Sequence, residues 1–221
     1  PICCACSAAT LSAHSQNAEW SEGYTGETLG ERLAFHNVTG GTGAGEVIAF
    51  TGTVEGALQG WMDTLYHRIP FVHPNSTDYG WGMAASGGAK VEVVDYLYGS
   101  ATAPGPGRWP LPGAKDVAVS WHGYESPQPP LPRGESYPSG PVVTITFASG
   151  SQPMLTAASL VDSVGHSVAV QVQSPDNDPW LSSTWALYAF DPLVSGQTYT
   201  VTFDGVVSGE SVTDVWTFTT R

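Results

Sequence analysis

Apolar positions change their spacing midway along the chain. Val54, Ala57, Leu58 and Trp61 fall at i, i+3, i+4 and i+7, one face of a helix, and this pattern runs out near Tyr66-His67. Val91-Glu-Val-Val-Asp-Tyr-Leu-Tyr98 is β-branched and aromatic, as strands are. Tyr79-Gly-Trp-Gly-Met-Ala84 followed by Ser86-Gly-Gly88 supplies the other arm and the turn of a hairpin. Further on, Val142–Phe147, Ser167–Gln173, Thr198–Phe203 and Val212–Thr219 alternate with period two between clusters of Gly, Ser, Asn, Asp and Pro. The expectation is an α+β domain over residues 1–100 and an all-β sandwich over 117–221.

Between them, Ala101 to Gly113 is dense in Pro and Gly, which favour extended or turn backbone, so residues 101–116 read as a linker. Pro127, Pro129, Pro130 and Pro132 form a second extended stretch, read as a loop or sheet edge rather than a polyproline ligand.

With 221 residues the chain has room for two domains of about 100 residues each. Seven Lys plus Arg against twenty Asp plus Glu give a net charge of −13, which repels phosphate backbones and anionic lipid. Nucleic acid is thereby excluded as a natural partner. The sequence has no run of about 18 apolar residues that would span a bilayer, and it opens on Pro1 as a processed product would. Export to the extracellular space or cell surface is the expectation. Cys3, Cys4 and Cys6 are the only cysteines, so a disulfide framework within either domain is ruled out. A terminal crosslink or a frayed end accounts for them more simply than a metal site in C-C-x-C spacing.

Five segments in order resemble the bacterial form of the CAP superfamily, the cysteine-rich secretory, antigen 5 and pathogenesis-related proteins. His14-Ser15 looks like the His-Ser segment after that family's first helix. Gly23-Tyr-Thr-Gly-Glu-Thr-Leu-Gly-Glu-Arg32 is similar to G-[FY]-T-G-x-T-x-x-[DE]-R, and Gly45-Glu-Val-Ile-Ala49 to G-E-N-I-A. Trp61-Met-Asp-Thr-Leu-Tyr-His-Arg-Ile-Pro-Phe71 resembles W-M-x-[ST]-x-x-H-R-x-x-[IL], and Thr77-Asp-Tyr-Gly-Trp-Gly82 the strand [TR]-[ED]-[IV]-G-[VI]-G. The second half is similar to the bacterial Ig-like modules that follow such domains, in Gly196-Gln-Thr-Tyr-Thr-Val-Thr-Phe203 and Trp216-Thr-Phe-Thr-Thr220.

The resemblance implies a truncated α-β-α sandwich whose cleft carries histidines and acids, followed by an Ig-like β-sandwich. Transferred by motif, His14 and His67 are the metal ligands for zinc or another divalent ion, and Glu46 is the acid that would serve as general base. Trp61 and Tyr66 are the candidates for ligand contact. The sequence departs from the family at Thr64, where a Glu is expected, at Val47 in place of the Asn of G-E-N, and in having only about a dozen residues before His14. Two imidazoles provide half a tetrahedral shell, so metal affinity should be modest.

Asn37-Val-Thr39 and Asn75-Ser-Thr77 fit the glycosylation sequon. His36, His73, His122 and His166 match no family position and read as surface or turn residues. Trp81, Trp121, Trp185 and Trp216 lie in or beside strands and read as core rather than as carbohydrate platforms. The tetrad is incomplete, and the sequence carries neither G-x-S-x-G nor H-E-x-x-H. The expected function is therefore an exported binding or surface protein that takes an ion, a small apolar ligand or a protein partner. A self-assembling subunit of a surface layer or filament and a metal-dependent hydrolase are the alternatives.

Overall fold

A computed structural model describes residues 14–19, 24–86, 88–101 and 105–221. Pro1 and the three cysteines, Gly23 of the Gly-Tyr-Thr-Gly segment, Gly87 of the hairpin turn and residues 102–104 of the expected linker lie outside the described residues. Strands make up 40% of the chain and helices 11%, so the protein is mostly β with several sheets. Among the described residues no helix is long and apolar enough to cross a membrane. The chain divides into two compact units, one of Pro1–Met62 with Asn75–Thr102 and one of Asp63–Pro74 with Ala103–Arg221.

In the first unit, α1 (Leu29–Phe35) begins at a capping box in which Thr28 and Glu31 satisfy each other's backbone N–H groups. Strands β1 (Gly43–Ala49), β2 (Ser76–Ser86) and β3 (Ala89–Tyr98) form an antiparallel sheet in the order β1-β3-β2, β2 and β3 being the expected hairpin, extended at both ends of its first strand. Pairing fixes the faces. Glu46 stands opposite Asp95 and Ile48 opposite Val93, whereas Val47 and Trp81 stand opposite Val94 on the other side. Arg32 of α1 bonds Glu46 on the first face. Trp61 of α2 (Val54–Asp63) packs its ring 5.4 Å from Trp81 on the second, and its indole N–H donates to the Ile48 carbonyl. One helix thus covers each face.

The helical pattern predicts that α2 reaches Tyr66-His67, yet it ends at Asp63. The backbone N–H groups of Leu65, Tyr66 and His67 donate instead to the Glu125 carboxylate, which competes with the carbonyls that would continue the helix. A single turn, α3 (Ile69–Val72), follows with Pro70 near its start.

The second unit stacks two four-stranded sheets. One has the order β4-β6-β9-β8 (Gly107–Trp109, Val143–Thr146, Thr184–Ala189, Val170–Gln173). The other has β5-β11-β10-β7 (Ala114–Val117, Glu210–Thr220, Thr198–Val207, Met154–Asp162). Strands β4 and β5 come from the stretch read as linker, because its prolines flank short edge strands without interrupting a ladder. The shared core holds Ile145, Phe147, Trp185 and Leu187 from one sheet and Val201, Phe203, Trp216 and Phe218 from the other. Gly205 admits this packing, since a Cβ there would lie 2.5 Å from the Trp185 ring.

Strand β9 is buried along its whole length. Its odd residues face the core, while Ala186 and Tyr188 face outward and are covered by Leu65, Trp121, Val142 and Leu181, with Tyr66 and Ile69 at the margin. Residues 63–74 therefore form an outer layer on this sheet.

Candidate functional site

In the first unit Glu46 is the centre of a chain of charges. One of its oxygens accepts a hydrogen bond of 2.6 Å from the Arg32 guanidinium, and the other lies 2.9 Å from Nδ1 of His14. Glu46 keeps only 4% of its side chain exposed, whereas His14 keeps 60%. Asp95, also buried, stands opposite Glu46 on the facing strand. Burial alone would raise the pKa of Glu46. The hydrogen bonds with His14 and Asp95 and the charge of Arg32 outweigh it and hold the group below its ordinary value. A carboxylate so stabilised, with both oxygens engaged, is a weak base. Its structural effect is to engage the His14 ring through Nδ1, leaving Nε2 outside that bond.

The second unit repeats the device. Glu125 has a fully buried side chain, and one of its oxygens lies 2.7 Å from Nδ1 of His67 while also accepting the backbone N–H groups of Tyr66 and His67. Here too Nε2 is the nitrogen available, on a side chain 21% exposed. Beside it, the buried Arg68 guanidinium donates to the Val142 carbonyl at 2.8 Å and lies over the Trp109 ring. Burial pulls its pKa down to about 9 against the opposing charges of Asp63 and Glu125, so it stays protonated at neutral pH.

The two aromatic candidates differ. Trp61 is buried and committed to Ile48 and Trp81. Tyr66 is half-buried, and its hydroxyl donates to Asp178 at 2.7 Å. Burial, then that bond, push its pKa far above the usual tyrosine value, which keeps the proton in place.

Among the sequon residues, Asn37 sits exposed in the turn after α1 with φ 54°, whereas Asn75 is buried and its side-chain amide donates to Gly99 at 2.7 Å. In the folded chain only the first is accessible. His73, expected at the surface, is buried with Nε2 3.3 Å from the Ser183 hydroxyl. His122 stacks on the exposed Tyr124 ring, and exposed His166 lies 3.2 Å from Asp162.

The residues that sequence reasoning missed are Arg32, Asp95, Glu125 and Asp178. Arg32 was present in the Gly-Tyr-Thr-Gly segment, and Asp95 stands with Glu92 among the apolar residues of β3, a signal that both are buried for a purpose. Nothing local marks Glu125, which lies 58 residues from His67. Among the described residues no group of three or more His, Cys, Asp or Glu side chains is placed to hold a metal ion. No protein-family model and no curated protein matches this chain.

Acid should weaken the fold in two windows. Burial places the folded pKa of His73 below its ordinary 6.5, so its contribution is complete above that pH and is lost as pH falls through the folded value. Glu46 acts in the same sense from its ordinary 4.5 downward. The thermal midpoint, followed by circular dichroism, is expected to decline below pH 6.5 and again below pH 4.5. His73→Gln should remove the first decline.

Proposed function

We propose that this is an exported, non-catalytic binding or surface protein with a CAP-like unit and an Ig-like unit, in which His14 of the first unit and His67 of the second each present Nε2 to a divalent cation of its own, such as zinc. The observation that carries the reading is that each histidine is held through Nδ1 by a buried carboxylate, Glu46 or Glu125. Ligating histidines are oriented in this way, and the bond raises the basicity of the free nitrogen. The donor chemistry fits an imidazole-binding cation. Zinc would supply the link to further donors from water or a bound partner, while Glu46 and Glu125 serve as orienting groups. A helix on each face of an antiparallel sheet supports the CAP-like assignment, and the paired four-stranded sheets support the Ig-like one.

This arrangement argues against a hydrolase. The base such an enzyme needs would be Glu46, whose lowered pKa and full set of partners leave it little capacity to take a proton near neutral pH.

A second reading, a self-assembling surface subunit, is favoured by one observation. Edge strand β2 runs for eleven residues with Tyr79, Trp81 and Met83 exposed, Asp78 as its sole charge and its one irregularity confined to its start between Ser76 and Asp78, so most of its edge is open to pairing.

Titration calorimetry of metal-free full-length protein with zinc should show modest binding. His14→Ala and His67→Ala should each lower the heat released, and Glu46→Gln should weaken binding by about tenfold or more. Undiminished binding in all three, or peptide or ester turnover that Glu46→Gln abolishes, would contradict the assignment. For the second reading, sedimentation velocity should show association that Trp81→Lys disperses, and a strictly monomeric wild type would refute it.

A further inference from the structure

The loop after β8 presents an aromatic side chain that the fold itself does not use. Trp180 is 63% exposed, although the other tryptophans of the sandwich core are buried. Leaving an indole in water forgoes the burial that Trp usually provides. The loop is nevertheless closely ordered. The Asn177 side chain accepts the Ser174 backbone N–H at 2.8 Å and donates to the Val172 carbonyl. One oxygen of buried Asp178 accepts the Trp180 backbone N–H at 2.9 Å, and the other accepts the Tyr66 hydroxyl at 2.7 Å. Leu181 anchors the next position in the apolar layer outside β9. The exposed indole therefore stands on a fixed backbone with its ring centre 6.4 Å from that of Tyr66, the two planes tilted by 51°.

We infer that Trp180 and Tyr66 form a binding platform for a neutral polysaccharide. A pyranose ring has an apolar C–H face and a rim of hydroxyls, and a rigid exposed indole complements the face. The second, tilted ring encloses one flank of a sugar lying on the first. Asp176, exposed in the same loop, supplies an acceptor for hydroxyls at the rim. The chain's −13 charge repels uronate, sulfate and phosphate, which selects an uncharged glycan. Preorganisation favours this ligand class, because a sugar face offers little area and tolerates little ordering cost. Asp178 acts as the positioning residue by holding the Tyr66 hydroxyl and the Trp180 backbone. The platform lies wholly within the second unit and is independent of cation binding at His14 or His67.

The test is native affinity electrophoresis of the full chain in gels containing hydroxyethylcellulose, glycol chitin or mannan, with tryptophan fluorescence as a parallel readout. Retardation by at least one polysaccharide is expected, weakened about thirtyfold by Trp180→Ala and largely retained in Trp180→Tyr. Trp180 is mostly exposed, so its removal should leave the near-ultraviolet dichroism of the core in place, which separates loss of binding from loss of fold. Migration unaffected by all three polysaccharides, or retardation that survives Trp180→Ala, would overturn the inference. So would a Trp180→Ala variant whose only change is reduced self-association, since that outcome would make the indole a protein contact.

Discussion

One buried carboxylate organises the second unit. Glu125 accepts the backbone N–H groups of Leu65, Tyr66 and His67 and engages the His67 ring, all from a position some 58 residues further along the chain. Hydrogen bonds to a charged acceptor contribute about 1.5–3 kcal/mol each, so this cluster can compete with the helical bonds it replaces. Several consequences follow from the same contact. The polypeptide leaves α2 at Asp63, Leu65 and Ile69 are laid over the outer face of β9, and Tyr66 is brought to Asp178. Arg68, drawn into the same buried region, offsets the charge of Glu125 and satisfies the Val142 carbonyl.

The first unit solves a similar problem with different residues. Glu46 faces Asp95 across β1 and β3, and the two could not both be ionised at low cost without Arg32 beside them. Placing the guanidinium on α1 ties that helix to the sheet, while the other oxygen of Glu46 engages the exposed His14. In both units a buried charge has a structural task and an orienting one. The exposed end of each histidine is then the part left for function.

The period-two pattern in the second half made the sandwich legible, because alternation reports which residues face the core and Tyr199, Val201 and Phe203 lie there as the pattern requires. The hairpin of β2 and β3 was equally legible from its β-branched arm and glycine turn. The end of α2 was not, since helical periodicity carries no trace of a distant acceptor that removes the next N–H groups. Strands β4 and β5 were hidden for a related reason: proline and glycine report local freedom, while their pairing with β6 and β11 is set by residues far away. At the site, the motifs brought out His14, Glu46 and His67, but not Arg32, which engages Glu46, or Asp95, which stands opposite it. Trp180 was passed over because an isolated Trp beside prolines looks the same whether it is packed or presented.

The central claim is that Glu46 and Glu125 hold their histidines through Nδ1–H and leave Nε2 as the basic nitrogen. Long-range proton–nitrogen correlation spectra of the ¹⁵N-labelled protein, recorded above the imidazole titration range, read each tautomer directly. The account predicts that His14 and His67 both carry the proton on Nδ1, with Nε2 showing the shift of an unprotonated ring nitrogen. Finding the Nε2–H tautomer at either residue would mean that the carboxylate does not orient that ring, and the proposed presentation of Nε2 would be contradicted.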